Sequence, residues 1–368
     1  MSDDLKARLL GTAGELGFCA AGTASIAAPP RGDYFLRWLA EGRNASMEWL
    51  ARNNDRRLAP ENFLPGARSV VVLGFNYHQP PPVLPYRVAR YALGADYHNF
   101  LLKRLKKLCA RMREWGGEQR PCVDTAPVME KPLAERAGLG WQGKNTLVTN
   151  RRHGPWLLLG AIFTTLEIPP DAPETNRCGA CRRCAGACPT GALDGAYHMD
   201  ARRCLAYLTV EHDGAIPPEF RAAMGDRLFG CDTCAEACPF GSGQWPVASG
   251  QCGDELRPRL EAFPQRLRDS FAWTDADYAA RFAGSPLKRL GLRRWLRNCC
   301  VVLGNTGGDE CAANLAALEA LRERAAAAGD ELLAEHAAWA VSKLANTDGK
   351  NEKKDETGKA AEFDQTAK

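Results

Sequence analysis

The chain has 368 residues, of which 45% are hydrophobic and 25% are charged, and its formal net charge is +4. This length is enough for two or three globular domains. So small a net charge excludes a uniformly basic surface, and an acidic partner would have to bind to a local patch. The longest apolar run, WLLLGAIF at residues 156–163, is less than half the length that a membrane-spanning helix needs.

Residues 1–18, MSDDLKARLLGTAGELGF, have the pattern of an amphipathic helix with early acids and contain no cleavage site for secretion. We therefore expect a cytoplasmic protein. The chain has 15 cysteines, and in that reducing compartment the clustered ones are expected to hold metal rather than to form disulfides.

The first part of the chain alternates strand and helix patterns. Residues 69–77, SVVVLGFNY, and residues 156–165 each predict a buried strand, and residues 97–115 predict a helix rich in Lys and Arg. This alternation predicts an α/β domain over residues 1–165.

The segment GLGWQGKNT at residues 138–146 imitates two nucleotide-binding signatures, G-x-G-x-x-G and G-x-x-x-x-G-K. The preceding residues, EKPLAERA, favour a helix that ends at Gly138, whereas both signatures need a strand before the loop. No acidic residue follows about twenty positions later to bind a ribose. The pattern favours a glycine-rich loop that lets a large group lie close to the backbone over a dinucleotide site.

The cysteines form two ferredoxin-type runs. Residues 178–189, CGACRRCAGACP, follow the pattern C-x2-C-x2-C-x3-C-P, and residues 231–239, CDTCAEACP, lack one cysteine that Cys204 can supply. Zinc is disfavoured because it leaves the C-x3-C-P ends unexplained. The eight thiols predict two 4Fe–4S clusters with exchanged fourth ligands, one held by Cys178, Cys181, Cys184 and Cys238 and the other by Cys188, Cys204, Cys231 and Cys234.

Two adjacent clusters form an electron path, so another centre is expected to be reduced in the first half of the chain. No C-x3-C-x2-C triad is present that would make a cluster itself the reactive centre. The other seven cysteines lie in apolar or helical contexts and are predicted to be packed thiols: Cys19, Cys109, Cys122, Cys252, Cys299, Cys300 and Cys311.

Residues 281–300, RFAGSPLKRLGLRRWLRNCC, are basic and contain no acid. On one continuous helix Arg289, Arg293 and Arg297 would share a face, which can follow phosphates, although a solvated helix face is the alternative. The predicted RNA contacts are Lys288, Arg289, Arg293, Arg294 and Arg297.

Two similar segments, RNCCVVLGN at 297–305 and EHAAWAVSK at 335–343, lie 38 residues apart and indicate a small helical, HEAT-like domain. Residues 347–368 are polar and are predicted to be disordered.

Most of residues 1–345 resembles the epoxyqueuosine reductase family. The resemblance rests on RYALGADYH at 90–98, VDTAPVMEKPLAERAGLGWQGKNT at 123–146, both cysteine runs and DARRCLAYLTVEHDGAIPPEFR at 200–221. It implies reduction of epoxyqueuosine to queuosine at the wobble position of tRNA, with cobalamin and two 4Fe–4S clusters, and a relation to reductive dehalogenases. The implied α+β layout is a cobalamin-binding domain (1–165), a ferredoxin-like domain (166–245), a helical tRNA-contacting domain (246–346) and a disordered tail (347–368).

The resemblance also implies residue roles. Asp124 in VDTAP matches the family's proton donor, with a pKa that we expect apolar neighbours to raise, although the residues alone favour a helix N-cap for 127–137. His98 is expected to form hydrogen bonds rather than to bind cobalt, because Leu101 replaces the glycine of D-x-H-x-x-G. Lys131 stands where some members have Arg. The predicted cofactor contacts are Arg90, Tyr97, His98, Gln142, Lys144 and Asn145, the last two meeting corrin amides.

Two alternatives remain open at this point, a ferredoxin module that only carries electrons and a corrinoid reductase of small molecules. The expected partners of the favoured function are the tRNA anticodon stem-loop and a flavodoxin or ferredoxin system that donates electrons. We expect a monomer with no membrane contact.

Overall fold

The structure is a computed structural model and describes residues 2–242, 253–307 and 310–357. Its strands are β1 (Ala20–Ser25), β2 (Ser69–Asn76), β3 (Arg87–Val88), β4 (Gln119–Cys122), β5 (Trp141–Gln142), β6 (Val148–Thr149), β7 (Leu157–Thr164) and β8 (Arg227–Phe229). Its α-helices are α1 (Ser2–Glu15), α2 (Gly32–Ala40), α3 (Asn54–Leu58), α4 (Tyr97–Glu114), α5 (Glu130–Arg136), α6 (Arg183–Ala187), α7 (Leu205–Val210), α8 (Pro218–Met224), α9 (Thr233–Glu236), α10 (Asp275–Arg281), α11 (Leu292–Thr306), α12 (Cys311–Ala327) and α13 (Glu331–Thr357).

The first domain is built on a four-stranded sheet with the order β1-β2-β7-β4. The predicted strands at 69–77 and 156–165 are confirmed as its two central strands, and the predicted helix at 97–115 is α4. Every neighbouring pair in this sheet is antiparallel. The expected α/β alternation is therefore corrected to an α+β domain, because the helices between these strands do not return the chain to a parallel neighbour.

Helices cover both faces of the sheet. In the β-branched strand β2, Val71 and Leu73 pack into a core with α1 and α4, while Val70 and Val72 pack into a core with α5. Successive side chains of a strand point to opposite faces, so an apolar run of this kind is buried on both sides. This packing fixes the ends of α4 and α5, where the site residues lie.

The cysteine-rich segment and the C-terminal helices share one hydrophobic core. Residues of α7 such as Leu205 and Leu208 belong to the same buried cluster as Trp295 and Val301 of α11. The short parallel pair β3–β8 joins this unit to the first domain. Cys204 and Cys231 pack against this shared core.

The described chain after residue 274 is mainly helical, and the two similar segments lie on α11 and α13. These helices pack closely at Gly304, where a Cβ atom would lie 2.8 Å from the Trp339 ring and 3.0 Å from Cα of Ala340. Helix α13 is continuous to Thr357, and disorder of residues 347–368 stays a prediction. Residues 358–368 of that segment lie outside the described residues.

We predict that Gly304→Ala destabilises the protein by about 1–3 kcal/mol through overpacking against α13, despite the better helix propensity of alanine. Thermal unfolding of the two-cluster protein measures the shift. Gly11→Ala in α1 is the matched control, because nothing lies within 4 Å of the added methyl group. The control should unfold at the same temperature as the parent or slightly above it. Equal shifts for both variants would contradict the close packing.

Candidate active site

The glycine-rich segment forms a β-hairpin. Strands β5 and β6 pair antiparallel, and the tip of the hairpin is residues 143–147. Gly138 follows α5 with φ +71°, so the predicted helix end at this residue is confirmed. At Gly140 a Cβ atom would lie 2.2 Å from the carbonyl oxygen of Thr149, so only glycine permits this approach of the two strands.

The hairpin tip contacts both cysteine runs. The Lys144 ammonium donates hydrogen bonds to the carbonyl oxygens of Gly179 (2.6 Å) and Cys181 (3.0 Å). The Asn145 amide donates to the carbonyl oxygen of Cys234 at 3.2 Å. The expected corrin contacts of Lys144 and Asn145 are therefore corrected, since both side chains are directed to the cysteine loops instead.

The eight predicted cluster ligands, seven in the two runs and Cys204 between them, fall into two groups. The pKa of the Cys238 thiol is raised to about 11, mainly by burial and then by the nearby thiols of Cys178 and Cys184. Burial followed by the charges of Cys204, Cys231, Asp232 and Cys188 raises the pKa of Cys234. We call Cys178, Cys181, Cys184 and Cys238 the outer group, and Cys188, Cys204, Cys231 and Cys234 the inner group.

The inner group lines a small cavity. All four of its cysteines, together with Asn145 and Met199, surround this cavity. Within the described residues, no three His, Cys, Asp or Glu side chains come close enough to ligate a single metal ion. Because each thiolate of a 4Fe–4S cluster binds a different iron, four thiols around a common space are the donor set that such a cluster requires.

A larger cavity adjoins the inner group. It contains about 1140 Å³ of space, part of it open to solvent, and Met199 separates it from the inner cysteines because this residue lines both spaces. Gln142 and Thr146 of the hairpin line it, as does Asp124. Its apolar wall is formed by α2 and the turn after it, with Tyr34, Phe35, Trp38, Met47, Trp49 and Leu50.

Three side chains that line this large cavity carry buried polar atoms without a hydrogen-bond partner in the described part of the chain. They are Nε of Arg57, Oε1 of Glu130 and Oε1 of Gln142. Burial first, and then the charge of Asp124, raise the pKa of Glu130 to about 8. Buried polar atoms are normally paired, so these three atoms indicate a bound molecule that offers both donors and acceptors beside apolar surface.

Asp124 lies in the turn after β4 and is held by two neighbours at the start of α4. The Tyr97 hydroxyl donates to its Oδ2 atom, and Nε2 of His98 lies 2.8 Å from its Oδ1 atom. Nδ1 of His98 in turn lies 2.6 Å from Asp96, whose carboxylate also caps the first turn of α4. The predicted hydrogen-bonding role of His98 agrees with this geometry. The N-cap alternative for Asp124 is wrong, because α5 begins at Glu130 and its N-cap is Met129.

The charge state of Asp124 differs from our expectation. Burial raises its pKa, but hydrogen bonds from His98 and Tyr97 and the charges of His98 and Arg289 outweigh burial and lower it. The predicted raised pKa is therefore wrong. For His98, burial lowers the pKa, whereas the hydrogen bonds and charges of Asp124 and Asp96 raise it to about 9. At neutral pH the proton is held by His98, and Asp124 is a carboxylate.

Arg90 does not line the large cavity. Its guanidinium is buried, donates to the carbonyl oxygen of Gln79 and to Glu236, each at 2.9 Å, and lies over the Trp156 ring. The predicted cofactor contact of Arg90 is therefore corrected, because its side chain links the first domain to α9 instead. Tyr97 and His98 reach the cavity through Asp124, whereas Gln142 lines it directly.

The predicted arginine stripe is broken. Gly291, at φ +77°, separates a 3-10 turn that contains Lys288 and Arg289 from α11. Arg297 is fully buried and donates to the carbonyl oxygens of His212, Gly214 and Leu208, so its predicted RNA contact is wrong. The acids that the segment lacks come from elsewhere in the fold, since Arg289 pairs with Glu211, Arg293 with Asp330 and Arg294 with Asp213. Lys288 is exposed.

The other cysteines vary in burial. Cys109, Cys122, Cys299 and Cys300 are buried, as expected of packed thiols, whereas Cys19 and Cys311 are half-buried. Cys252 lies outside the described residues. None of the six described thiols lines the two cavities.

Two family profiles match the chain. Residues 177–241 match the "4Fe-4S double cluster binding domain", and residues 57–125 match "Epoxyqueuosine reductase QueG, DUF1730". The first match covers both cysteine runs, so the chain contains a two-cluster 4Fe–4S domain. The second match ends at residue 125, next to Asp124.

Curated relatives extend the similarity over the whole length. The chain is 40% identical over 350 residues to the epoxyqueuosine reductase of Xanthomonas campestris, an alignment that covers 92% of this chain and 96% of the relative. It belongs to the epoxyqueuosine reductase family. The family enzyme of Escherichia coli K12 is 39% identical over 340 residues, covering 89% of this chain and 86% of the relative.

Solved epoxyqueuosine reductases have the same fold. A crystal structure of the enzyme with an epoxyqueuosine-modified stem-loop of tyrosine tRNA matches with a TM-score of 0.83 and 27% identity, covering 94% of this chain and 91% of that one. The enzyme from Streptococcus thermophilus matches equally well, with a TM-score of 0.83 and 27% identity over 93% of this chain and 90% of that one. In the described ranges, no helix is long and apolar enough to cross a membrane.

Several residues of the site carried no motif that sequence reasoning could use. Asp96 stands in the quoted DYH segment, but its link to His98 depends on the first turn of α4. Arg57 and Glu130 come from different elements, and only the fold brings them to one cavity. The one sequence signal that could have pointed to Glu130 as a site residue was its position in the same short segment as Asp124.

We predict that Lys144→Met lowers the reduction potential of the outer cluster by about 60 mV, which for one electron is a tenfold change in the reduction equilibrium. The reason is that the variant removes a positive charge that lies against the outer cysteine loop. A redox titration followed by electron paramagnetic resonance measures the potential, with the inner cluster as internal reference. An unchanged outer potential, or equal shifts of both clusters, would contradict this role of Lys144.

Proposed function

We propose that the chain reduces epoxyqueuosine to queuosine at the wobble position of tRNA in the cytoplasm. The observation that carries the proposal is the juxtaposition of the inner cysteine group with a cavity that contains Asp124. Conversion of an epoxide to an alkene consumes two electrons and two protons and releases water. A cluster supplies electrons, and a carboxylate can transfer protons. Membership of the family supplies the substrate class.

Cobalamin is the cofactor that we propose for the large cavity. Its corrin carries amide side chains, which match the unpartnered atoms of Arg57, Glu130 and Gln142, and its apolar ring suits the aromatic wall. Cobalamin, when bound and reduced, supplies a strongly reducing cobalt centre for cleavage of the carbon–oxygen bond. Lys131 and Thr146 line the same space and are further candidates for contacts with the cofactor.

We propose that Asp124 transfers a proton that a neighbouring residue holds, rather than holding that proton itself. Its lowered pKa makes it a carboxylate at neutral pH, whereas His98, with a pKa of about 9, holds a proton 2.8 Å away. As the epoxide oxygen leaves, Asp124 takes the proton of His98 and transfers it to that oxygen. The Tyr97 hydroxyl keeps the carboxylate oriented, and His98 is left neutral between two carboxylates.

The clusters are proposed to act in series. The inner group adjoins the cavity at Met199, whereas the loop of the outer group has exposed residues at Gly179, Ala180 and Arg182. Electrons from a flavodoxin or ferredoxin type of donor would therefore reach the outer cluster first and the cavity last. The order follows from burial, since the exposed cluster is the one that a donor protein can approach.

For tRNA, we propose contacts at Lys288 and Arg289. The charge of Arg289 acts on Asp124 and on Tyr97, so this side chain lies near the proton-transfer residues. A phosphate near the cavity mouth could replace Glu211 as the partner of Arg289. Arg293 and Arg294 would have to break their ion pairs to bind RNA, so they are secondary candidates.

The test of the function is anaerobic reconstitution with iron, sulfide and cobalamin, followed by incubation with tRNA that carries epoxyqueuosine and a chemical reductant. Mass spectrometry of the nucleosides should show the loss of one oxygen atom from the wobble base. A protein that binds eight irons and cobalamin but leaves this base unchanged would contradict the proposed substrate. The same protein without cobalamin is the control.

We predict that Asp124→Asn lowers kcat by about 10²–10⁴-fold, because the amide cannot pass a proton from His98 to the leaving oxygen. Single-turnover measurements give the rate, and iron content and the cobalamin absorption spectrum show whether both cofactors are still bound. Full activity in a protein with both cofactors would exclude Asp124 from proton transfer.

The pH dependence of the rate tests the role of His98. We expect activity to fall as the pH rises through about 9, because His98 then loses the proton that Asp124 transfers. Asp96→Asn keeps a helix-capping side chain but removes a negative charge beside His98, so this fall should move to lower pH by on the order of one unit. An unchanged pH profile in Asp96→Asn would contradict the proton route, whatever the absolute rate.

A further inference from the structure

The loop of the outer cysteine group carries an unusual run of charge. Residues 175–193 contain Arg177, Arg182 and Arg183 and no acid. All three arginines are exposed, and each is next to a cysteine of the outer group in the sequence. Arg177 pairs with Glu174 at 3.2 Å, whereas Arg182 forms no ion pair within the described residues.

A second basic segment lies at the same end of the molecule. Arg151 and Arg152 are exposed in the turn after β6. At Gly154, which closes this turn, a Cβ atom would lie 2.2 Å from the carbonyl oxygen of Phe240, two residues beyond Cys238 of the outer group. We define the outer basic surface as Arg151, Arg152, Arg177, Arg182 and Arg183.

The outer basic surface is open. A Cβ atom added at Gly179 or at Gly186 would meet no other atom within 4 Å, so no described part of the chain covers this loop. Its opposite side is held by Lys144, which donates to the carbonyl oxygens of Gly179 and Cys181. One side of the outer group is therefore fixed to the hairpin, and the other side faces solvent.

We propose that the outer basic surface is the docking site of an acidic protein that donates single electrons. This inference rests on the proposed function, which requires two electrons for each turnover and a route through the outer cluster. Arginines beside the cluster ligands would orient an acidic partner so that its redox group meets the outer cluster. RNA has the complementary charge as well, but it carries no electrons, and the exposed Arg182 lies beside the cluster ligands rather than at the cavity.

Charge reversal at two of the arginines tests the proposal in the two-cluster protein with cobalamin bound. The variant is Arg182→Glu/Arg183→Glu, and its matched control is Arg111→Glu/Arg113→Glu, which reverses two exposed arginines of α4. Stopped-flow absorbance follows reduction of the clusters by two donors without tRNA, namely reduced flavodoxin as an acidic protein and reduced methyl viologen as a small cation. Iron content and cluster potentials are measured for each variant.

The two donors should respond differently. For Arg182→Glu/Arg183→Glu, the second-order rate constant with flavodoxin should fall about tenfold or more at low salt, and most of its salt dependence should disappear. The rate with methyl viologen should stay the same or increase, because the variant attracts a cation. The α4 variant should keep the parent rate with both donors.

Two outcomes would overturn the proposal. The first is an unchanged flavodoxin rate in the Arg182→Glu/Arg183→Glu variant, and the second is an equal loss in the α4 variant. If the first outcome came with weaker binding of the tRNA stem-loop, it would assign the arginines to RNA. Because cluster reduction is read without tRNA, a failure of docking is distinguishable from a wrong substrate, which only the nucleoside assay detects.

Discussion

The hydrogen bonds of Lys144 and Asn145 to the two cysteine runs are the constraint on which the rest of the site depends. One hairpin tip contacts the loop of the outer group through Lys144 and the inner group through Asn145. The same hairpin lines the large cavity with Gln142 and Thr146. One short hairpin therefore sets the spacing of both cysteine groups from the cavity, and a fixed spacing is what electron transfer between centres requires.

The proton-transfer residues are positioned by a different element, the first turn of α4. Asp96 caps this helix and orients His98 with the same carboxylate, and Tyr97 and His98 then hold Asp124. The arrangement keeps a carboxylate charged at the cavity and a proton one hydrogen bond away from it. An acid with a raised pKa would store the proton itself, whereas this pair separates storage on His98 from delivery by Asp124.

The sequence predicted the parts of the molecule that depend on local pattern. The apolar run of β2, the helix at 97–115 and the eight cysteines were readable because strand burial, helical periodicity and cluster spacing are local properties. Several predictions failed because the contacts that decide them come from distant segments of the chain. Acids from distant segments neutralise the arginine series, Arg297 is buried against the segment after α7, and His98 reverses the effect of burial on the pKa of Asp124.

The central claim is that the outer cluster, the inner cluster and the cavity lie in series. Anaerobic crystals of the protein with cobalamin, measured with X-rays near the iron and cobalt absorption edges, test it most directly. The account predicts iron among the outer cysteines, iron among the inner cysteines, and cobalt in the cavity on the side of the inner iron. Cobalt closer to the outer iron, or iron that binds Cys188 together with Cys178, Cys181 and Cys184, would contradict it.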